Sequence, residues 1–173
     1  MKVNRPVAIW IIGSMGSGKT TLCRSLIKKL DGFTHFNIDD YRFKYNPSQL
    51  YENEFRVRSK FCKHLERSVN KDILVETVGT YKNNILHENK IIILLESSLK
   101  ISEQRVLKRF NEKAQHIYYP LMDENETHEE NLKRSIRQLS YYKNIKPDFK
   151  INTDSLSPEE ILDIVWNYLK EKI

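Results

Sequence analysis

Apolar positions along the chain fall into two kinds of pattern. Val7–Ile12 is an unbroken apolar run of strand length, the pattern of a parallel strand buried on both faces. Leu22, Leu26, Ile27 and Leu30 then recur at helical spacing, and Asp31-Gly32 marks the stop. Phe33–Ile38 reads as a second strand, with Pro47 in the loop beyond it. Residues 50–68 read as a helix with Val57, Phe61, Cys62 and Leu65 on one face. Ile73–Val75 is a third strand, and Ile91–Leu95, after a short helix around Ile85 and Leu86, a fourth. Residues 101–111 are helical, with Val106, Leu107 and Phe110 apolar; a polar stretch over 111–130 follows, acidic from Asp123 to Glu130. Leu132, Ile136 and Leu139 mark another helix, and Phe149–Ile151 a brief fifth strand. The last helix has the clearest start. Ser157 caps it, Pro158 takes its first position and Glu160 completes a capping box, before Ile161, Ile164, Val165, Tyr168 and Leu169 at the helical period. Strands alternating with helices predict one α/β domain over residues 1–173, a five-stranded, mostly parallel sheet with helices on both faces.

Composition narrows the partners. The chain has 173 residues, 39% hydrophobic and 30% charged, in the range of an ordinary globular protein. No apolar stretch approaches the roughly 20 residues of a membrane helix, and the N-terminus lacks a signal-peptide pattern. Cys23 and Cys62 form no metal-type spacing and no disulfide framework, which fits a reducing cytoplasm. The net charge of +6 is concentrated in residues 1–119, and residues 120–173 are acidic. A basic first two-thirds suits an anionic partner such as a phosphate, a nucleotide or a nucleic acid; a solvated basic surface is the alternative.

The chemistry is concentrated in one segment. Three of the five glycines, Gly13, Gly16 and Gly18, fall within Gly13-Ser14-Met15-Gly16-Ser17-Gly18-Lys19-Thr20. This is the phosphate-loop pattern G-x-x-x-x-G-K-[ST], placed between a buried strand and an amphipathic helix. Loop and helix N–H groups, through Thr21, would face a nucleoside triphosphate, and Lys19 would reach its terminal phosphates. The Thr20 hydroxyl would ligate Mg²⁺. A GTPase would carry a guanine-reading N-K-x-D after a strand; Asn70-Lys71-Asp72-Ile73 lacks the final Asp and precedes one.

A kinase also needs a carboxylate near the acceptor hydroxyl and cations around the moving phosphoryl group. Asp39, Asp40 and Arg42 lie where the second strand ends, the edge of an α/β sheet at which ligands bind. Asp39 is the candidate base, with Asp40 and Arg42 on the acceptor; Asp39 or Asp40 as a helix N-cap is the other reading. Arg105 and Arg109 share a helix face and lead into a candidate lid over about 105–130. Glu76 ends the third strand and Glu96 the fourth, so they compete to assist the metal or to hold the acceptor. The five histidines show no metal-type pairing and read as surface or edge residues; Tyr118, Tyr119, Tyr141 and Tyr142 read as packing. The basic 56–67 helix is either a solvated face or one wall of an acceptor groove.

The stretch Asn37-Ile38-Asp39-Asp40-Tyr41-Arg42 after the loop resembles phage-type polynucleotide kinase. That resemblance implies Asp39 as general base and Arg42 on a substrate phosphate. It also implies Arg105 and Arg109 as the lid pair, Arg109 being the phosphate-stabilising one, and Glu76 as the acid on the substrate side. Trp10-Ile11-Ile12-Gly13, the Asp-x-x-Arg spacing and Ile151-Asn152-Thr153-Asp154 are similar to adenylylsulfate kinase, and zeta-toxin-like and gluconate-kinase-like proteins share the outline. The phage enzyme's phosphatase domain and the adenylylsulfate kinase lid motifs have no counterpart here. The expectation is a three-layer P-loop NTPase fold. Its expected activity is ATP- and Mg²⁺-dependent transfer of the γ-phosphoryl group to a hydroxyl of a small anionic, nucleotide-like acceptor, by a monomer or homodimer. The alternatives are a 5′-hydroxyl polynucleotide kinase and a nucleotide-dependent nucleic-acid-binding ATPase.

Overall fold

The structure, a computed structural model, describes residues 5–47, 51–78, 87–111, 127, 130 and 145–173. Five strands form one sheet: β1 Val7–Gly13, β2 Thr34–Asn37, β3 Ile73–Thr77, β4 Asn89–Glu96 and β5 Phe149–Asn152. Their order is β2-β3-β1-β4-β5, and every pairing is parallel. All seven residues of β1 are buried, as a strand at the centre of a two-sided sheet must be.

Each face of β1 feeds its own core. Val7, Ile9 and Ile11 point to one side, where they meet α1 (Lys19–Leu26) and α5 (Pro158–Leu169). Ala8, Trp10 and Ile12 point to the other, against Ile38 of α2 (Ile38–Tyr45) and Val57, Phe61 and Leu65 of α3 (Glu54–Glu66). Removing each such Ile, Leu or Phe from water stabilises the fold by about 1.5–3 kcal/mol. α4 (Leu99–Asn111) follows β4 and rests its Ser102 and Val106 on the phosphate loop.

The five strands and the helices over residues 19–26, 54–66, 99–111 and 158–169 stand where the pattern predicts them. The final helix carries the full capping box, Ser157 accepting from the Glu160 amide at 3.2 Å and Glu160 from the Ser157 amide at 2.8 Å. Two boundaries differ. α1 ends at Leu26, and the chain turns through 27–32 with Leu30 still buried, so the apolar spacing outlasts the helix. Ile38, predicted to end β2, instead begins α2, an amphipathically weak helix that the periodicity did not reveal. The helices expected near Ile85–Leu86 and over 132–139, and most of the 105–130 lid, lie outside the described residues. No helix among the described residues is long and apolar enough to cross a membrane.

Candidate active site

β1 ends on Gly13, and residues 14–18 turn the chain into α1. Gly16 has φ +78°, and a Cβ there would stand 2.7 Å from the Ser102 carbonyl oxygen. A side chain would therefore be strained and would push α4 off the loop. Gly18, at φ +95°, occupies the N-cap of α1 without any side-chain cap, so backbone amides alone face the mouth of the cleft. Lys19 folds back over the loop and donates to the Ser14 carbonyl at 2.7 Å. Burial lowers its pKa, and the nearby carboxylates of Glu76 and Asp39 oppose that shift.

Register brings Glu76 to this lysine. β1 and β3 pair Ile11 with Glu76, so the carboxylate projects toward α1 at the end of its strand. It is buried, and one oxygen accepts from the Thr20 hydroxyl. Glu96 ends β4 differently: it is half-exposed, with Lys150 at 3.7 Å. Glu76 is thus the acid that the structure brings to the loop. Hard oxygens from Thr20 and Glu76, next to a cradle for phosphate oxygens, fit a Mg²⁺ ion.

Opposite the loop lies the start of α2. Asn37 caps this helix, its side-chain oxygen accepting from the Asp39 amide at 2.9 Å. Neither Asp39 nor Asp40 is the cap, and both carboxylates stand in the first turn. Asp39 lines the cleft, whereas Asp40 is exposed and does not. Arg42, three residues on, is gripped from two sides. Its Nε and one terminal nitrogen bind the carboxylate of Glu54 at 3.1–3.3 Å. Its other terminal nitrogen donates to Asp39 at 2.5 Å. Glu54 is buried, so this is a largely desolvated, forked pair.

The lid arginines part company. Arg105 donates to the carbonyls of Gly16 and Thr153 at 3.2 and 2.6 Å, and to the Thr153 hydroxyl at 3.1 Å. It ties the loop to the end of β5. Arg109, one turn further, lines the cleft together with Lys19, Thr20, Asp39, Arg42 and Glu76. It also lines a neighbouring cavity, formed by Thr21, Arg105, Leu156 and Pro158 beside Gly16 and Gly18.

Three features escaped the sequence reading. Glu54 is a lone acid opening a basic helix, and nothing in its spacing links it to Arg42. Pro158 reads only as a helix-start residue and Leu156 carries no signal, although both wall the second cavity. The histidines are not all on the surface. His87 is buried and paired with the Lys71 carbonyl, and His35, on the edge strand, turns inward to Glu76 at 3.5 Å. The residues of α3 that carry its positive charge, Arg56, Arg58, Lys60 and Lys63, are exposed and do not line the cleft. Tyr118, Tyr119, Tyr141 and Tyr142 lie outside the described residues.

With this geometry in place, the comparisons decide the family. Residues 9–131 match the family described as AAA domain. The chain belongs to that family. A shikimate kinase from Caldicellulosiruptor saccharolyticus is 29% identical over 167 residues, covering 87% of this chain and 88% of that one. A cytidylate kinase from Sulfurisphaera tokodaii is 27% identical, covering 93% and 94%. In the fold, a shikimate kinase from Bacteroides thetaiotaomicron superposes with a TM-score of 0.65 at 16% identity, over 95% of this chain and 98% of that one. The AAA domain chain described here is thus an α/β P-loop phosphotransferase. These relatives are not specifically the polynucleotide kinases that Asp39-Asp40-Tyr41-Arg42 resembles, nor the adenylylsulfate kinases that Trp10-Ile11-Ile12-Gly13 resembles.

Proposed function

We propose that this protein is an ATP- and Mg²⁺-dependent kinase that moves the γ-phosphoryl group to a hydroxyl of a small anionic acceptor. The observation that carries this reading is the shared cleft. Asp39 stands across from Lys19, close enough for its charge to oppose the lowering of the lysine's pKa by burial, with Arg109 lining the same space. Phosphoryl transfer asks mainly for positioning and charge neutralisation. Loop amides and Lys19 hold the donor phosphates, and the second cavity at Thr21, Leu156 and Pro158 takes the base and ribose. Thr20, oriented by Glu76, would hold a Mg²⁺ ion, which would supply neutralisation of charge on the donor phosphates. Asp39 aligns the acceptor hydroxyl and accepts its proton. Arg109 meets the charge on the transferring group, while Arg105 keeps the loop in shape.

The acceptor's negative charge is read by Arg42. Glu54 holds one edge of the guanidinium and so fixes its plane. The other edge, on Asp39, is the one an acceptor anion can share. The two named relatives act on shikimate and cytidylate, both small anions, which supports this choice. The exposed basic face of α3 supports the second reading, a 5′-hydroxyl kinase on nucleic acid. Labelled ATP offered with a panel of small hydroxy acids, nucleosides, nucleotides and 5′-hydroxyl oligonucleotides tests both. Transfer to a small anion with weak salt dependence is expected. Steep salt dependence on an oligonucleotide, about 0.7–0.9 log units per decade for each contact, favours the second reading. Hydrolysis alone, unchanged by every acceptor, overturns the kinase.

A further inference from the structure

The two oxygens of Glu76 have different neighbours. One accepts from Thr20, toward the cleft. The other, Oε2, is buried and has no hydrogen-bond partner, and the same holds for His35 Nε2, 3.5 Å away. A buried carboxylate oxygen normally has a hydrogen-bond partner, because leaving it without one costs about 1–3 kcal/mol or more. Cys23 completes the group. It sits one turn after Thr20 on α1, on the helix face turned to the sheet, and is fully buried. The thiol sulfur, an imidazole nitrogen of His35 and a carboxylate oxygen of Glu76 all lie within 4.8 Å of one another.

Three separate elements supply this trio. β2 and β3 pair His35 with Leu74, two residues before Glu76, so both side chains emerge on the α1 face of the sheet. One sulfur, one nitrogen and one oxygen suit a borderline-soft divalent cation such as Zn²⁺. Bond lengths of about 2.0–2.3 Å would require the trio to close by only a small movement.

We propose that Cys23, His35 and Glu76 form a three-ligand site for Zn²⁺ or a similar transition-metal cation, set behind the phosphate loop and sharing Glu76 with the Mg²⁺ position. Binding converts the Cys23 thiol to a thiolate and releases its proton to solvent; the metal keeps its charge of +2 and one thiolate–metal bond forms. Thiolate, carboxylate and cation together are neutral, so the negative charge that Glu76 presents to Lys19 is cancelled. The cation therefore weakens the hold on Thr20 and Lys19 and opposes donor binding. This consequence rests on the kinase reading, whereas the site itself does not.

Co²⁺ added to the nucleotide-free protein tests it. A saturable near-ultraviolet thiolate-to-cobalt charge-transfer band at one ion per chain, displaced by Zn²⁺, is expected. Cys23→Ala removes the band. His35→Gln, on the edge strand β2, weakens Co²⁺ binding by more than the roughly 10- to 100-fold that outer partners of metal ligands are worth, with an unchanged circular dichroism spectrum. Cys62→Ala keeps the band. Absence of a thiolate band, its survival in Cys23→Ala, or its loss in Cys62→Ala overturns the site. If the band behaves as expected but Zn²⁺ leaves nucleotide affinity unchanged, the site stands and its coupling to the loop does not.

Discussion

The two walls of the cleft are built on opposite principles. The donor wall is mostly backbone: a strand end, a glycine-rich turn and an uncapped helix N-terminus, with Lys19 as its main side chain. The acceptor wall is mostly side chain. Asp39 and Arg42 project from a helix of eight residues, and the arginine is held by Glu54 from the next helix. A backbone wall serves any nucleoside triphosphate, because every such ligand offers the same phosphates. A side-chain wall can be retuned residue by residue, so it carries the choice of acceptor.

That contrast can be broken by experiment. Asp39→Asn should cost the most, about 10²–10⁴-fold in transfer with ATP affinity preserved, since it removes the proton acceptor and the ion pair to Arg42 on the acceptor side and leaves the phosphate loop untouched. A fall in ATP affinity of similar size would show that the two walls are not separable. Lys19→Ala should lower turnover by about 10²–10³-fold with an unchanged circular dichroism spectrum. Unaltered turnover would remove the donor wall from the mechanism. Arg42→Ala should raise the acceptor KM roughly tenfold or more while leaving the ATP KM nearly unchanged. It also leaves Glu54 buried without its partner, a loss of about 3–5 kcal/mol in stability. Arg42→Ala combined with Glu54→Ala should recover much of the stability and none of the acceptor affinity. Recovery of both in denaturant titration and kinetics would show that Arg42 only packs. Ser157→Ala, which removes the cap of α5 between two residues that wall the second cavity, should cost about 1 kcal/mol of stability and leave transfer nearly unchanged.

The same contrast explains what could be read in advance. A backbone wall leaves a local signature, because its glycines and lysine are contiguous: residues 13–20 announce the loop, and Val7–Ile12 announces the strand beneath it. A side-chain wall assembles residues distant in sequence. Asp39 and Arg42 were visible as a pair, but Glu54 lies twelve residues beyond Arg42 with no periodic link to it. Glu76 and Glu96 were indistinguishable as strand-end acids until register placed the first beside α1. Arg105 and Arg109 share one face by spacing alone. Tertiary packing separates them, because Thr153 at the end of β5 captures the first. α2 was missed because its apolar pattern is weak, and only Ile38 of its residues is buried.

The capture of Arg105 has a thermodynamic consequence for the loop. Holding Gly16 to Thr153 through one guanidinium removes freedom from a glycine-rich segment during folding, when the whole domain shares the cost. A nucleotide then meets amides that already converge, and little of its interaction energy goes into ordering them. Loosening that tie would leave every phosphate contact chemically intact and still lower affinity, with the loss appearing as a less favourable binding entropy in calorimetry.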